Sequence, residues 1–251
     1  PPPPPHFFFS KPKRPNEMLR SLVGSEMCIR DSMYAMNSLL EVKNLEKSYG
    51  RNRVINNLFL SVNASEVVVI RGANGSGKTT LLSIISSLIS YDYGTVRIFG
   101  KDLRSDPHAY RSQLAFVGHR PFLYSQLTVR ENLEFYARLN SLEDFQTKIL
   151  EKTSMIGISD RLDTKISTLS HGYVKRTAIA RALLHGPRLL LFDEPESGLD
   201  KESLIFLEDI IESELKKETS ILITTHAEDI VYKGVIRNQR ISKGILVDDV
   251  S

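Results

Sequence analysis

A glycine-rich segment at residues 72–79, GANGSGKT, limits what this chain can fold into more than any other feature of its sequence. The β-branched run EVVVIR at residues 66–71 precedes it and is typical of a buried strand. A helical pattern over residues 79–89 follows it. The G-x-x-x-x-G-K-[ST] spacing requires this order of strand, loop and helix, so the segment is predicted to cradle a phosphate group.

The residue types in this segment suit phosphate binding. Glycines allow backbone N–H groups to converge on phosphate oxygens where a Cβ would block the approach, and the following helix points its N-terminus at the same anion. Lys78 is expected to reach the β- and γ-phosphates of ATP, and the Thr79 hydroxyl to ligate Mg²⁺. The predicted nucleotide-binding residues of the segment are Gly72, Asn74, Gly75, Ser76, Gly77, Lys78, Thr79 and Thr80.

Two acidic residues end a second apolar run, LLLFDE at residues 189–194. Asp193 is predicted to hold Mg²⁺ through water, and Glu194 to orient or deprotonate the water that attacks the γ-phosphate. An isolated acidic pair at the end of a strand is usually no more than solvated surface. The phosphate-binding segment upstream favours hydrolysis instead.

The order of the apolar segments predicts an α/β fold. Buried-strand runs at residues 66–71, 188–193 and 220–225 alternate with helical patterns, as in a mostly parallel sheet covered by helices on both faces. Shorter alternating runs over residues 39–62 indicate further strands joined by a turn. Residues 120–184 carry apolar residues mainly at helical spacing and are predicted to form a helical insertion.

Composition and charge narrow the class of partner. The 251 residues carry a formal net charge of +3, which is too small and too dispersed to predict nucleic-acid binding. The single cysteine, Cys28, excludes a disulfide framework. No apolar run reaches the roughly 18–20 residues that cross a bilayer, so any transport would need a channel supplied by another chain.

Four smaller motifs follow the order that characterises ABC ATPases. LSHGY at residues 169–173 resembles their LSGGQ signature, and SGLD at residues 197–200 resembles their D-loop. His226, directly after the SILITT run, matches the switch histidine, and Tyr49 matches the aromatic residue that stacks on adenine. The resemblance covers residues 39–250 and implies the P-loop NTPase fold of this family, with a mostly parallel core sheet, an N-terminal antiparallel β subdomain and a helical subdomain.

This resemblance implies a mechanism in which two protomers close head-to-tail around two ATP molecules. Each ATP would lie between the phosphate-binding segment of one protomer and Ser170 and Gly172 of the other, with Asp200 in the D-loop beside them. The implied catalytic residues are those that neutralise phosphate charge or activate water, namely Lys78, His226 and Glu194.

The resemblance also implies partners and a location. One partner is a second ABC ATPase protomer, in a homodimer or a heterodimer, and the other is an integral membrane subunit of a transporter. The segment that follows His119 would contact the membrane subunit. The expected location is cytoplasmic and peripheral, on the inner face of the cell membrane.

Three positions depart from the family pattern. His171 and Tyr173 replace the second glycine and the final glutamine of the signature, and His119 stands where the family carries the Q-loop glutamine. A neutral imidazole at His119 could bind the attacking water or Mg²⁺, but it offers one donor and one acceptor, unlike an amide. The Gly-His pair within residues 118–124, together with residues 181–187, is similar to the haem-exporter ATPases of cytochrome c biogenesis, which implies haem export.

Three alternatives stay open. Other ABC exporters, of drugs, lipids or polysaccharides, share most of these motifs. Among non-transport ABC ATPases, tandem translation factors carry two sets of motifs and chromosome proteins insert a long coiled coil, whereas Lys78 and Asp193 are only 115 positions apart here, without heptads. An Fe–S assembly ATPase remains a candidate. The third alternative is a degenerate heterodimer partner, in which His171 and Tyr173 weaken the site that they complete.

Residues 1–32 differ in composition from the rest of the chain. Seven of the eleven prolines lie within residues 1–15, and the run SLVGSEMCIRDS that ends this segment resembles translated sequencing-adapter read-through. We expect the segment to be non-native, with Met33 or Met36 as the native start, or else to be a disordered tail. Residues 33–251 are then predicted to form one ABC ATPase domain.

Overall fold

The computed structural model describes residues 38–249, except residues 107, 109, 200, 229–231, 233, 235 and 236. The segment at residues 1–32 that is predicted to be non-native or disordered lies outside the described residues, as do the alternative start sites Met33 and Met36. Within the described ranges the chain forms two β-sheets with helices packed against them.

An antiparallel sheet is built from the N-terminal strands. Its strand order is β2-β1-β4-β5, and the strands are β1 (Ser38–Tyr49), β2 (Asn52–Asn63), β4 (Tyr93–Ile98) and β5 (Lys101–Asp102). β1 and β2 form a long hairpin that pairs from Ser38 with Asn63 to Tyr49 with Asn52. The predicted antiparallel N-terminal subdomain is therefore confirmed.

The central sheet has six strands in the order β10-β9-β3-β8-β7-β6, and all its pairings are parallel except that of β9 with β10. Its strands are β3 (Val67–Arg71), β6 (Leu114–Val117), β7 (Leu189–Asp193), β8 (Ser220–Thr225), β9 (Arg237–Ser242) and β10 (Ile245–Asp248). Every residue of β3, β7 and β8 is buried, as the continuous apolar runs predict. The prediction of a mostly parallel core sheet is confirmed.

Five α-helices lie in the described part of the chain. They are α1 (Lys78–Ile85), α2 (Val129–Leu139), α3 (Phe145–Met155), α4 (His171–Leu183) and α5 (Lys201–Leu215). The helix predicted over residues 79–89 ends four residues early, because Ser87 adopts a left-handed backbone (φ +58°) that a helix cannot contain.

The two faces of the central sheet carry separate apolar clusters. Alternate residues of β3 divide between them: Val68 and Ile70 pack with α1 and the antiparallel sheet, whereas Val67 and Val69 pack with α2–α5. Each buried side chain of this size contributes about 1.5–3 kcal/mol relative to exposure. This packing brings the carboxyl ends of β3, β7 and β8 to one edge of the sheet, where the polar residues of the candidate site follow.

Candidate active site

The segment between β3 and α1 tolerates only glycine at two of its positions. A Cβ on Gly72 would lie 2.6 Å from the backbone oxygen of Ile241 and 2.9 Å from Oγ of Ser76. Gly77 has φ +109°, and a Cβ there would lie 3.0 Å from the backbone oxygen of Val54. The backbone of the segment is thus packed closely against β9 and β2, and its path depends on the missing side chains.

This segment presents hydrogen-bond donors suited to an anion. α1 begins after Gly77 without a side-chain cap and without an acidic residue in its first turn. The buried Ser76 hydroxyl has no hydrogen-bond partner among the described residues. Asn74, Gly75 and Thr79 are exposed. The uncapped N–H groups and the Ser76 hydroxyl therefore fit a phosphate group, which the positive end of the helix dipole also favours.

Lys78, the first residue of α1, is folded into this segment. Its side chain is only 4% exposed, and its ammonium group donates to the carbonyl oxygens of Gly72 at 2.7 Å and Ala73 at 3.1 Å. The same nitrogen lies 3.3 Å from Oε1 of Glu194. The lysine predicted to bind phosphate and the carboxylate predicted to activate water are thus in direct contact.

Asp193 and Glu194 lie at the carboxyl end of β7. Asp193 is 2% exposed and accepts a hydrogen bond of 2.7 Å from the Thr224 hydroxyl on β8. Glu194 has a left-handed backbone, φ +49°, and its N–H donates to the carbonyl of Thr224 at 2.9 Å. Its Oε2 lies 3.2 Å from Nδ1 of His226, so the Glu194 carboxylate bridges the Lys78 ammonium and the His226 ring.

A buried lysine that the sequence reasoning missed supports Glu194 from α4. The Lys175 ammonium donates to the backbone oxygen of Glu194 at 3.1 Å, and the residue is 7% exposed. Burial lowers the pKa of Lys175, whereas the charges of Glu196, Asp193 and Glu194 raise it. Its position among the buried residues of α4, on the same helical face as Ala178 and Ala182, is the signal that could have identified it.

A second buried network connects the segment after Glu194 with the segment that carries His226. Glu196 is 7% exposed and accepts hydrogen bonds from the Thr225 hydroxyl and, at 2.8 Å, from the Tyr232 hydroxyl. The Thr225 oxygen in turn accepts from the N–H of Ala227 at 2.9 Å. Burial raises the pKa of Tyr232 far above its usual value, which keeps its hydroxyl protonated as a donor. No local sequence pattern joins these residues.

The signature segment lies at the N-terminus of α4. Ser170 is the N-cap residue, and its exposed side chain accepts from the N–H of Tyr173 at 3.5 Å. His171 packs over Gly198, where a Cβ would lie 2.9 Å from Nδ1 of its ring. Within one chain, Ser170 and Gly172 have no hydrogen bond to the phosphate-binding segment, residues 72–79, in the described residues.

Three other predicted site residues form no hydrogen bond or ion pair with that constellation among the described residues. Tyr49 is 52% exposed, and its ring lies under the Lys47 ammonium at 5.3 Å. His119 follows β6 and is exposed, without a side-chain hydrogen bond or ion pair in the described ranges. Thr80 is half-buried in the first turn of α1. Asp200 lies outside the described residues, so its role stays a prediction, as do those of the other three.

The described side chains alone do not form a complete metal site. Within the described ranges no cluster of three or more histidine, cysteine or acidic side chains could hold an ion by itself. The Thr79 hydroxyl and the Asp193 carboxylate are the hard oxygen donors that Mg²⁺ prefers when phosphate oxygens complete its shell.

In the described part of the chain no helix has the length and apolar character to span a membrane.

Comparison with known proteins agrees with this geometry. The family model of ABC transporters matches residues 55–197. The cytochrome c biogenesis ATP-binding export protein CcmA of Vibrio cholerae is 32% identical over 203 residues, which span 81% of this chain and 98% of the relative. The linearmycin resistance ATP-binding protein LnrL of Bacillus subtilis is 29% identical, over 75% of this chain and 61% of that protein.

A solved structure of the ATP-binding subunit of an ABC transporter has the same fold. It superposes with a TM-score of 0.77 at 27% identity, covering 84% of this chain and 90% of the other. The match of the family model over more than half of the sequence agrees with the motifs and with the constellation around Glu194. The chain belongs to the ABC transporter family, as an ATP-binding subunit that hydrolyses ATP.

Proposed function

We propose that this chain is the motor subunit of an ABC exporter, in which two such domains hydrolyse ATP and drive a separate membrane subunit. The observation that carries the proposal is the contact series Lys78–Glu194–His226 at the mouth of the phosphate-binding segment. A base that already contacts the phosphate-binding lysine needs little reorganisation to reach a water in line with the γ-phosphate.

Each site residue has a role in this proposal. Lys78 binds the β- and γ-phosphates, and the loop residues Asn74, Gly75, Ser76 and Thr80 surround them with donors. Thr79 and Asp193 would hold Mg²⁺, with His119 as a further candidate ligand, and the ion would supply positive charge to the phosphate oxygens. Glu194 orients the water and takes its proton, while His226 holds the Glu194 carboxylate in place. Tyr49 offers an exposed ring to adenine.

A second protomer completes the site. Ser170 and Gly172 lie at the accessible N-terminus of α4, and no hydrogen bond in the described ranges ties them to the phosphate-binding segment of their own chain. A helix N-terminus with a serine cap suits the γ-phosphate bound by another copy. The proposed dimer therefore joins this end of α4 to Lys78 of the partner, and Asp200 keeps its predicted role in the D-loop.

A groove beside α2 is the proposed contact with the membrane subunit. It has a volume of about 330 Å³ and is bordered by the exposed side chains Leu88, Phe122 and Leu139. Arg181 lies at its base, 5.1 Å from the Tyr136 ring, and its Nε has no partner among the described residues. A partner segment with apolar side chains and one carboxylate would complement this groove. The chain would then sit on the cytoplasmic face of the membrane as a peripheral subunit.

Haem, for cytochrome c assembly, is the cargo that we propose. The similarity to the Vibrio cholerae protein and the Gly118–His119 pair support it. Export of a drug is the second candidate, because the chain is also similar to a linearmycin resistance protein. The membrane subunit selects the cargo in either case, so identifying that subunit separates the two.

The test uses the full chain as bait for membrane proteins in detergent extracts of its source cells. We expect one polytopic partner of cytochrome c biogenesis to co-purify and to stimulate phosphate release. Leu139→Glu should abolish co-purification, whereas the matched change Ile205→Glu, at a residue of similar exposure on α5, should not. A drug-exporter subunit as partner would support the second candidate. Wild-type protein that neither binds nor hydrolyses ATP would contradict both.

A further inference from the structure

Lys175 is a buried lysine whose ammonium group donates a hydrogen bond to the backbone of Glu194. It lies one helical turn after His171 in α4, and its ammonium contacts the backbone oxygen of Glu194 at 3.1 Å. Burying an ammonium group is costly unless charges and hydrogen bonds compensate it. The hydrogen bond to Glu194 and the negative charges of Glu196, Asp193 and Glu194 favour the charged ammonium, although burial still lowers the pKa of Lys175. A lysine in this position is therefore tied to the acidic segment that begins at Asp193.

Hydrogen bonds to the backbone carbonyl of Glu194 can fix the orientation of its side-chain carboxylate. Glu194 adopts a left-handed backbone, which a residue with a side chain maintains only when its surroundings hold it. Its N–H donates to Thr224 on β8, and its carbonyl accepts from the Lys175 ammonium and from the N–H of Ser197, each at 3.1 Å. The next residue is Pro195, whose nitrogen has no hydrogen to donate. Lys175 therefore supplies the described side-chain hydrogen bond to the peptide between Glu194 and Pro195.

α4 also contacts the segment after Glu194 at a second position. At the start of α4 the His171 ring packs over Gly198, four residues after Glu194. Lys175 then contacts Glu194 one turn further along. A helix moves as a rigid element, so a displacement of the α4 N-terminus reaches the backbone of Glu194 through Lys175 and that of Gly198 through His171.

We propose that Lys175 is a positioning residue that couples the signature end of α4, with Ser170 and Gly172, to the geometry of Glu194 in the same chain. This inference rests on the proposed function, in which that end of α4 binds the ATP held by a second protomer. ATP engaged by one site then adjusts the catalytic carboxylate of the other site, which makes hydrolysis at the two sites cooperative.

Full-length Lys175→Met tests the inference, because methionine fills similar volume without a donor. We expect kcat to fall by about 10- to 100-fold, the range typical of a partner that orients a catalytic group, with KM for ATP and the dissociation constant of a fluorescent ATP analogue unchanged. The Hill coefficient for ATP should fall towards one. The matched control Lys216→Met, at an exposed lysine on the surface, should leave all four quantities unchanged.

A double variant separates positioning from general structure. In a Glu194→Gln background, Lys175→Met should lower the residual rate by less than about threefold, because its effect passes through Glu194. An equal loss in both backgrounds would overturn the inference, and so would a folded Lys175→Met protein with the wild-type kcat. If Lys175→Met does not fold, Lys175→Gln tests the inference instead, because glutamine keeps a hydrogen-bond donor. We expect its kcat to lie within about threefold of the wild-type value. A loss of kcat above about tenfold in a folded Lys175→Gln protein would contradict the inference.

The two proposals fail in different ways. If wild-type protein does not bind or hydrolyse ATP, the proposed function is wrong. If wild-type protein hydrolyses ATP and the Lys175 variants behave like wild type, only the coupling through Lys175 is wrong.

Discussion

Nδ1 of His226 lies 3.2 Å from Oε2 of Glu194, across the ends of two adjacent parallel strands. The other oxygen of this carboxylate contacts the Lys78 ammonium at 3.3 Å. Glu194 is thus held from both sides by cationic or hydrogen-bonding groups, and its orientation is set before any water is activated. The three residues should therefore act as one unit in catalysis.

We predict non-additive kinetics for Glu194 and His226. His226→Ala should lower kcat by about 10²–10³-fold, because it removes the group that orients the carboxylate. The double variant with Glu194→Gln should be no slower than the slower single variant. Steady-state phosphate release from the three proteins measures this, and multiplied effects in the double variant would show that the two residues act independently.

Gly72→Ala should weaken nucleotide binding. The new Cβ would lie 2.6 Å from the Ile241 carbonyl, so the loop must shift and the free energy of unfolding should fall by about 1–3 kcal/mol. Gly186→Ala is the control: unlike Gly72, Gly186 has a positive φ that strains any side chain, but its Cβ would meet open space. Calorimetric titration with ATP should give normal affinity for Gly186→Ala and affinity weaker by more than about tenfold for Gly72→Ala.

Gly172→Ala should preserve the fold and damage the assembly. Outside its chain neighbours and the backbone of its own helix, the nearest atom to the position of its Cβ is Oγ of Ser203, at 3.9 Å. Replacing glycine inside a helix stabilises it by up to about 1 kcal/mol. We expect an unchanged or higher melting temperature, normal ATP binding and loss of the ATP-dependent dimer in size-exclusion chromatography. A dimer of wild-type stability in this variant would refute the role of α4 in the interface.

The protein should lose stability as the pH rises above about 10. Burial raises the pKa of Tyr110 to about 12 and that of Tyr232 further. Unfolded tyrosines ionise near 10, so the native state binds more protons above that pH and the free energy of unfolding falls as pH rises. Urea midpoints between about pH 8 and 11 measure the slope. Tyr110→Phe should reduce it, whereas the exposed Tyr93→Phe should not; a midpoint independent of pH would contradict this assignment.

Apolar runs in the sequence predicted the buried strands of the central sheet, because burial of a strand depends on its own residues. The buried strands before Gly72 and Asp193 are continuous apolar runs, and parallel pairing brings their ends together without further information. The boundary of α1 was wrong because Ser87 leaves the helical conformation, which the spacing of apolar residues does not reveal.

The supporting residues could not be predicted in this way. Lys175, Glu196 and Tyr232 acquire their roles only through tertiary contacts between α4, the segment after β7 and the segment after β8. Charged residues at such positions are usually solvated, and only their burial distinguishes these from surface groups. Tyr49 and His119 illustrate the opposite case, since their predicted roles depend on a nucleotide and not on contacts within the chain.

The central claim is that Glu194 is the catalytic carboxylate of a dimeric ATPase, and Glu194→Gln tests it most directly. Phosphate release and the ATP-dependent dimer would be measured together on wild-type and variant protein. We predict that the variant binds ATP with wild-type affinity, accumulates as a dimer with ATP, and releases phosphate at least about 10²-fold more slowly. Phosphate release at the wild-type rate by Glu194→Gln would contradict the account.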